Sequence, residues 1–259
     1  RYRGKYFMRF ENKVALVTGG SSGIGAEICV RFAEEGARVA VVASSSLEKA
    51  QATVDRCGEN ARPFACDVSD VGQISKLVAD VKDEFGQIDI LVNAAGVFYP
   101  TRIGETDEAM YDGMADANLK GCFFMCDTVA PHMIEAGGGK IVNLGSAAGV
   151  AGRSNYIVYS AVKAAVINMT RSLAAALAPH DINVNCLAPG NTATAMNENV
   201  RTEPEYAEIY ETIKQKTLSN RAFADPREMA GAVLFLCSQD ASAAHGTLLL
   251  MDEGLSAGY

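Results

Sequence analysis

The chain has 259 residues, 49% of them apolar, and a formal net charge of −8 at pH 7. This length and apolar content are enough to bury the core of one α/β domain. The acidic balance argues against a nucleic-acid partner and against an anionic membrane surface, since both attract basic proteins. No apolar run approaches the length of a membrane span, so no membrane association is expected.

The cysteines and histidines form no metal or disulfide pattern. The seven cysteines are odd in number, no Cys-x-x-Cys occurs, and the three histidines are scattered. We therefore expect reduced, mostly structural thiols, a cytoplasmic protein and no metal site. At the start of the chain, residues 1–10 are interpreted as a possible leader, because 1–7 is basic and aromatic and Met8 could be an initiator.

The first motif is a glycine-rich turn between a short apolar strand, 14–17, and a helical pattern through Ile28 and Phe32. Glycines let the backbone approach a pyrophosphate closely, and the N–H groups of a helix N-terminus favour its negative charge. A flexible loop is the alternative, but the flanking strand and helix favour a dinucleotide site. The predicted cofactor-binding residues of this turn are Thr18, Gly19, Ser21, Ser22, Gly23, Ile24 and Gly25.

The end of the second predicted strand, 38–43, is followed by no acid before Glu48. An NAD-preferring site places a carboxylate here against the ribose 2′-hydroxyl, and its absence removes repulsion against a 2′-phosphate. NADP(H) is therefore favoured over NAD(H), although no arginine stands at this position. The serines also fit a turn that caps a helix from Leu47, and the two interpretations are compatible. The residues predicted to face the cofactor are Ala43, Ser44 and Ser45.

Strand and helix patterns alternate along the chain, which predicts a parallel sheet covered on both faces. We expect Gly36 to be the C-cap of the first helix, Ser69 to be the N-cap of a helix ending at Phe85, and one helix to span 107–135. No linker or repeat interrupts the pattern. The prediction is an α/β fold: a single domain, 1–259, with a Rossmann-type doubly wound parallel sheet that binds ligands at the strand carboxyl ends. The predicted strands are 14–17, 38–43, 62–65, 88–92, 140–144, 182–187 and 247–251.

Residues 191–218 depart from this alternation. They place apolar residues at helical spacing among several glutamates. An insertion after the carboxyl end of a strand is well placed to act as a lid over a substrate site. A surface helical hairpin is the alternative interpretation. Asp225 and Pro226 then indicate the start of the last helix.

Tyr159 and Lys163 are four residues apart, so on a helix the phenol and the ammonium lie on one face. A neighbouring cation favours the charged form of a phenol, which suits general acid–base catalysis. The spacing alone favours a simpler interpretation, a packed tyrosine beside a solvated lysine. The motifs around the pair reverse that preference.

Together these motifs resemble the short-chain dehydrogenase/reductase family, in its shorter single-domain branch, over residues 12–254. Two positions depart from the family pattern: Ala94 replaces a common asparagine, and Glu253 replaces a glycine near the C-terminus. On the cofactor side, the matching residues are Asp67 and Val68 beside the adenine, the turn of Asn93, Ala94, Ala95 and Gly96, and a nicotinamide-side loop with Pro189, Gly190, Thr192 and Thr194.

The resemblance assigns the chemistry to four residues: Asn118, Ser146, Tyr159 and Lys163. It implies that Ser146 hydrogen-bonds the substrate oxygen and that Tyr159 exchanges a proton with that oxygen. Lys163 would hold the nicotinamide ribose and favour the phenolate, and Asn118 would hold a water that carries the proton onward. Without the resemblance, Asn118 and Ser146 would be interpreted as a polar helix contact and a turn-forming serine.

The resemblance implies an oxidoreductase for a small-molecule substrate, and we favour a small, neutral secondary alcohol or ketone, such as a polyol or cyclic alcohol. A 3-oxoacyl-carrier-protein reductase is the main alternative, which the acidic lid disfavours because it would repel an acidic carrier protein. A non-catalytic dinucleotide-binding regulator and a longer-branch epimerase or dehydratase are further alternatives. The family also implies a homotetramer. The predicted substrate-binding residues are Ser146, Ala148, Tyr156, Tyr159 and Met196, with Phe98, Val150 and Tyr210 in the same candidate pocket.

Overall fold

A computed structural model of the protein describes residues 8–257, and the first part of the predicted leader, 1–7, lies outside them. Its strands are β1 (Val14–Thr18), β2 (Arg38–Ala43), β3 (Ala61–Ala65), β4 (Ile90–Asn93), β5 (Gly139–Leu144), β6 (Ile182–Pro189) and β7 (Leu248–Met251). All seven are parallel and lie in the order β3-β2-β1-β4-β5-β6-β7. The order reverses between β1 and β4, which confirms the predicted doubly wound sheet.

Helices cover both faces of this sheet, as the alternating pattern predicted. They are α1 (Gly23–Glu34), α2 (Leu47–Cys57), α3 (Val71–Phe85), α4 (Glu108–Ala115), α5 (Gly121–Ala136), α6 (Ile157–Leu177), α7 (Glu198–Thr202), α8 (Ala207–Gln215) and α9 (Pro226–Cys237). On one face, α1 and α9 bury side chains such as Phe32 and Val233. On the other, α3, α5 and α6 bury Leu77, Met125 and Leu177.

Two helix ends differ from the predictions. The N-cap of α3 is Asp70 rather than Ser69: its carboxylate accepts hydrogen bonds from two backbone N–H groups of the first turn, at 2.8 and 3.3 Å. Ser69 is one residue too early for this geometry, and its hydroxyl donates to another carboxylate instead. The C-cap of α1 is Glu35, and Gly36 follows it with φ +90°, a left-handed conformation that glycine adopts without strain.

The helix predicted over 107–135 is helical throughout 108–136, but its middle is not α-helical. The stretch Asp116–Lys120 forms a π-helical segment between α4 and α5. It contains Asn118, whose side-chain Nδ2 donates to the carbonyl of Met114, one turn earlier, at 3.0 Å. Short π segments inside α-helices often occur at functional sites. The predicted helical stretch is therefore present over residues 108–136, but it changes from α to π at the position where the candidate catalytic asparagine lies.

The segment 191–218 forms short helical pieces outside the sheet, after the carboxyl end of β6. Its two α-helices are α7 and α8, and every residue of both is at least partly exposed. We call this segment the lid. Its position agrees with a cover over the strand carboxyl ends, and its closing role stays a prediction.

By length and composition, the stretch Ile157–His180 could cross a membrane, and it alone meets that test within residues 8–257. No such stretch was expected from the sequence. In the fold, it contains α6, which packs against β5 and β6 and buries Lys163 and Thr170 among its apolar side chains.

Phe10, from the predicted leader, is buried, and its ring packs edge-to-face with that of Phe32, with the ring centroids 4.9 Å apart.

Candidate active site

The glycine-rich turn lies between β1 and α1, where the strand order reverses. Gly19 has φ +66°, and a Cβ on it would lie 2.8 Å from the backbone of Ala95. A Cβ on Gly25 would lie 2.2 Å from the carbonyl oxygen of Gly19, so only glycine fits at both positions. Ser22 is the N-cap of α1 but makes no side-chain capping bond, which leaves the first N–H groups of the helix for a ligand. This cradle fits the diphosphate of a dinucleotide.

Hydrogen bonds join the turn to the neighbouring strands. The Thr18 hydroxyl donates to the carbonyl of Val92 at 3.4 Å and accepts from the N–H of Ala95 at 3.2 Å. Asn93 Nδ2 donates to Asn143 Oδ1, on β5, at 2.9 Å. These bonds hold the carboxyl ends of β1, β4 and β5 together.

The residues predicted to face the adenosine half of the cofactor lie at the carboxyl ends of β2 and β3. Ala43 is buried, whereas Ser44 and Ser45 are exposed beyond the end of β2. Asp67 is exposed and accepts two hydrogen bonds from the residue two positions later, at 2.9 and 2.7 Å, and Val68 is buried beside it. The nearest side chains at the end of β2 are therefore small and neutral, which leaves room for a phosphate on the ribose.

Tyr159 and Lys163 share one face of α6, as their spacing predicted. The Nζ of Lys163 lies 5.7 Å from the centre of the Tyr159 ring. Only 5% of Lys163 is exposed, and its Nζ donates to the carbonyl of Leu144, the last residue of β5, at 2.8 Å. The lysine is therefore fixed between helix and sheet and is not the solvated side chain that spacing alone suggested.

Asn118 reaches the same place from the π segment. Its Nδ2 donates to the carbonyls of Val97 and Met114, both at 3.0 Å. Its Oδ1 is buried and accepts no hydrogen bond from residues 8–257. Buried carbonyl oxygens of this kind usually have a partner, so a water or ligand group is expected here. Asn118 Oδ1 and Lys163 Nζ both lie within 4 Å of the point where a Cβ of Gly96 would lie, so the structure brings these two candidate residues together.

Ser146 lies at the end of β5 and starts a tight turn over 147–149. Its Oγ accepts a hydrogen bond from the N–H of Ala148 at 3.1 Å, which leaves the hydroxyl proton available for a substrate oxygen. A Cβ on Gly149 would lie 2.7 Å from the backbone of Lys163 and Ala164. Because of this contact, the Ser146 turn is pressed directly against the helix that carries Tyr159.

Three aromatic rings form a wall beside the tyrosine. Phe98 stacks on Tyr156 with the ring centroids 4.5 Å apart and meets Tyr159 edge-on at 4.8 Å. Thr101 holds this wall in place, because it pairs with Tyr156 and its Oγ1 accepts from the N–H of Val158 at 3.1 Å. Sequence reasoning missed Thr101, which belongs to no motif.

Most of the remaining predicted site residues lie at the end of β6 or within the lid. A Cβ on Gly190 would lie 2.6 Å from Asp252, so this loop leaves β6 close to the end of β7. Thr194 lies against Gly23 of the turn, while Met196 is 65% exposed. Tyr210 is brought beside Phe223 instead, with the ring centroids 5.9 Å apart. Within residues 8–257, Tyr210 has no ring contact with the aromatic wall.

The cysteines fit the structural role predicted for them. All seven are free thiols in the described residues, and six are buried. Burial raises the pKa of Cys66 and of Cys186 to about 11, and it also raises the pKa of Cys29. These thiols are therefore protonated and poorly nucleophilic at neutral pH.

Comparison with known proteins agrees with this geometry. A family model described as short chain dehydrogenase matches residues 13–205. The 3-oxoacyl-[acyl-carrier-protein] reductase of Thermotoga maritima is 36% identical over 96% of this chain and 99% of its own length. The galactitol 2-dehydrogenase of Agrobacterium fabrum is 39% identical over 90% of this chain and 93% of its own. A solved structure assigned as a short-chain alcohol dehydrogenase from Sinorhizobium meliloti 1021 has a TM-score of 0.91 at 34% identity, covering 98% of this chain and all of its own.

Proposed function

Because the chain belongs to the short-chain dehydrogenase/reductase family, and is an NAD(P)-dependent oxidoreductase acting on CH–OH groups, we propose that it interconverts a small, neutral secondary alcohol and its ketone. One observation carries the proposed chemistry: Lys163 Nζ and Asn118 Oδ1, which accepts no hydrogen bond within residues 8–257, both lie beside Gly96, and Lys163 shares a face of α6 with Tyr159. A buried cation and a buried acceptor next to a phenol make a proton-transfer centre.

The proposed roles follow from what each group can donate or accept. A bound nicotinamide supplies or accepts the hydride. Ser146 donates a hydrogen bond to the substrate oxygen, and Tyr159 gives a proton to that oxygen in reduction or takes it in oxidation. The Lys163 ammonium stabilises the phenolate that reduction leaves behind. Asn118 Oδ1 accepts from a water, through which the proton of Tyr159 exchanges with solvent.

For the cofactor, we propose that NADP(H) is preferred over NAD(H). The exposed Ser44 and Ser45 at the end of β2 support this preference, because a carboxylate that would repel a 2′-phosphate is missing there. A Ser45→Asp variant tests the proposal by adding that carboxylate. We expect it to weaken NADPH binding by about tenfold, through one repulsive contact, and to leave NADH binding within about twofold. Equal effects on the two cofactors would contradict the preference.

The substrate side supports a compact, weakly polar molecule. The wall of Phe98, Tyr156 and Tyr159 is apolar on its faces, and Val150 and Met196 of the predicted pocket are 47% and 65% exposed. An apolar wall of aromatic rings suits a cyclic ketone or the carbon chain of a small polyol.

A 3-oxoacyl-carrier-protein reductase is the second candidate, because relatives that share 36% identity with the chain have that name. Against it stands the lid, whose exposed glutamates would repel an acidic carrier protein. A substrate panel separates the two candidates. It contains cyclic ketones, polyols and an acetoacetyl thioester, each assayed with NADPH or NADP and with NADH or NAD. Turnover of the thioester alone would favour the second candidate.

The catalytic assignment is tested by Tyr159→Phe. The variant keeps the aromatic wall and loses only the acid–base hydroxyl. It should bind cofactor with unchanged affinity while kcat falls by at least a thousandfold, in line with the loss of an acid–base group. Retained turnover above a tenth of the wild-type value would overturn the role of Tyr159.

We further propose a cytoplasmic homotetramer. The exposed apolar side chains of α5, Phe123 and Ile134, support a partner on this helix. Light scattering of the purified protein at micromolar concentration should give about four times the mass of one chain. A monomeric mass would contradict the assembly.

A further inference from the structure

A cleft of about 380 Å³ lies beside the glycine-rich turn, between α1, α2 and the lid. The turn contributes Ser21, Ser22 and Gly23 to its wall, and the lid contributes Thr194 and Arg201. The cleft therefore joins the predicted phosphate cradle to a cationic side chain that belongs to none of the family motifs.

Arg201 is held in a defined position on α7. Its Nε donates to Asn197 Oδ1 at 3.0 Å, and its Nη2 donates to the carbonyl of Thr194 at 2.9 Å. A guanidinium has five N–H donors, so these two contacts leave others for a ligand. No carboxylate within residues 8–257 lies within 4.0 Å of it. Within residues 8–257, seven of the eleven arginines form ion pairs, and Arg201 is one of the four that do not.

The other groups around the cleft suit an anion. Thr53, on α2, is only 2% exposed and lines the cleft with a hydroxyl-bearing side chain. Glu27 also lines it, but Arg56 and Arg227 neutralise its charge. Glu198 is the remaining acid of the lining, and its side chain is exposed to solvent. The local balance beside the turn is thus less acidic than the chain as a whole.

We propose that Arg201 is a phosphate-binding residue carried by the lid, which donates a hydrogen bond to a phosphate group of the dinucleotide at the turn of Ser21, Ser22 and Gly23. This inference rests on the dinucleotide binding assumed in the proposed function. The guanidinium adds a cation beside a turn whose own residues, 18–25, carry no charge. Arg201 also donates a hydrogen bond to the carbonyl of Thr194, so phosphate binding connects the start of the lid to the cofactor.

The test measures equilibrium binding rather than turnover. Dissociation constants of NADPH and NADH are determined by nucleotide fluorescence for wild type, Arg201→Met and Lys216→Met. Lys216 is an exposed lysine of the same lid that does not line the cleft, so its variant loses the same charge elsewhere. Arg201→Met should weaken binding by about tenfold, as for one partly exposed hydrogen bond between charged groups. Lys216→Met should stay within about twofold of wild type.

The two cofactors distinguish the possible phosphate groups. If Arg201→Met loses affinity for NADPH only, the 2′-phosphate is the group that Arg201 contacts. An equal loss of affinity for both cofactors identifies the diphosphate as that group. A purely structural role of Arg201 predicts a different salt response. Direct phosphate contact makes the loss largest at low ionic strength and smaller at high salt, because salt screens the charge pair.

Unchanged affinities in Arg201→Met, or a loss that is the same at low and high salt, would overturn the proposal. The proposed catalytic function fails separately. A chain that binds both cofactors but turns over no alcohol or ketone would contradict the function and leave the role of Arg201 measurable.

Discussion

A Cβ placed on Gly96 would lie 2.4 Å from Oδ1 of Asn118. The same point is 3.7 Å from Nζ of Lys163. The missing side chain of Gly96 therefore keeps the space between the two polar groups open. The proposed proton pathway requires a water close to these two groups, so we expect a side chain at position 96 to obstruct it.

The first prediction concerns this space. Gly96→Ala should lower kcat by at least tenfold while the protein stays folded, because the methyl group displaces the Asn118 amide. Steady-state kinetics and a thermal melt measure the two effects. Gly231→Ala is the matched control: a Cβ there would lie 3.8 Å from its nearest neighbour, an ordinary contact, on a helix away from the site. A Gly96→Ala enzyme with wild-type kcat would exclude this role.

The aromatic wall gives a second prediction. Phe98→Ala removes both ring contacts, each worth about 0.5–1.5 kcal/mol, so kcat/KM for a cyclic ketone should fall by about tenfold. Phe98→Tyr keeps the ring and should retain most of the activity. Phe235→Ala removes a phenyl group of similar exposure, 44% against 39%, and should leave kcat/KM unchanged. Equal kcat/KM values for Phe98→Ala and Phe235→Ala would contradict this role of Phe98.

Glu253 gives a third prediction, about stability. It has φ +59°, a left-handed conformation that costs a residue with a Cβ about 1–2 kcal/mol relative to glycine. Its carboxylate pairs with Arg221 at 3.1 Å, and its carbonyl accepts from the N–H of Leu218 at the end of the lid. Glu253→Ala removes the ion pair but keeps the strained backbone conformation. Glu253→Gly also removes the ion pair, but it relieves the strain because glycine has no Cβ.

Urea unfolding should therefore show Glu253→Gly to be more stable than Glu253→Ala, by about 1 kcal/mol. Glu208, on the exposed helix α8, provides the control, since glycine there should be less stable than alanine by about 1 kcal/mol. If the glycine and alanine variants had the same order of stability at positions 253 and 208, the left-handed backbone of Glu253 would not explain the difference.

A fourth prediction concerns pH. The hydrogen bond from Arg9 holds the pKa of Glu35 below its ordinary value. A lowered folded-state pKa stabilises the protein above the unfolded-state pKa, about 4.3, and the stabilisation disappears as the pH falls through the folded-state value. Arg9→Met should therefore cost about 0.5–1 kcal/mol at pH 7 and progressively less below pH 4. Lys49→Met, an exposed lysine, should cost nothing measurable at either pH.

Urea unfolding at several pH values measures this difference. A cost for Arg9→Met that stays constant from pH 7 to pH 3.5 would show that the arginine acts by packing alone. Arg9 also makes a cation–π contact with Phe10, so such a packing contribution has a visible source.

The fold and the order of its motifs were predictable from sequence because both depend on local patterns. Apolar strands with alternating helices predict a parallel sheet, and the glycine-rich turn must follow β1 for its N–H groups to face a ligand. Tyr159 and Lys163 share a face because helical geometry alone sets their spacing. Side-chain type did not predict the N-cap of α3, since serine and aspartate are both good N-cap residues and only the structure shows that Asp70 accepts from the first turn.

The tertiary structure alone decided which distant groups meet. Gly96 touches Asn118, Phe98 stacks on Tyr156, and Arg201 reaches the cleft of the glycine-rich turn, although each pair is separated by a strand, a helix or most of the chain. No local preference sets these contacts, because they depend on how the loops at the strand carboxyl ends pack over the sheet. The sequence by itself determined the sheet, the turn and the Tyr159–Lys163 face. The packing of helices and loops against the sheet determined the burial of Lys163, the π segment at Asn118 and the position of Arg201 beside the phosphate cradle.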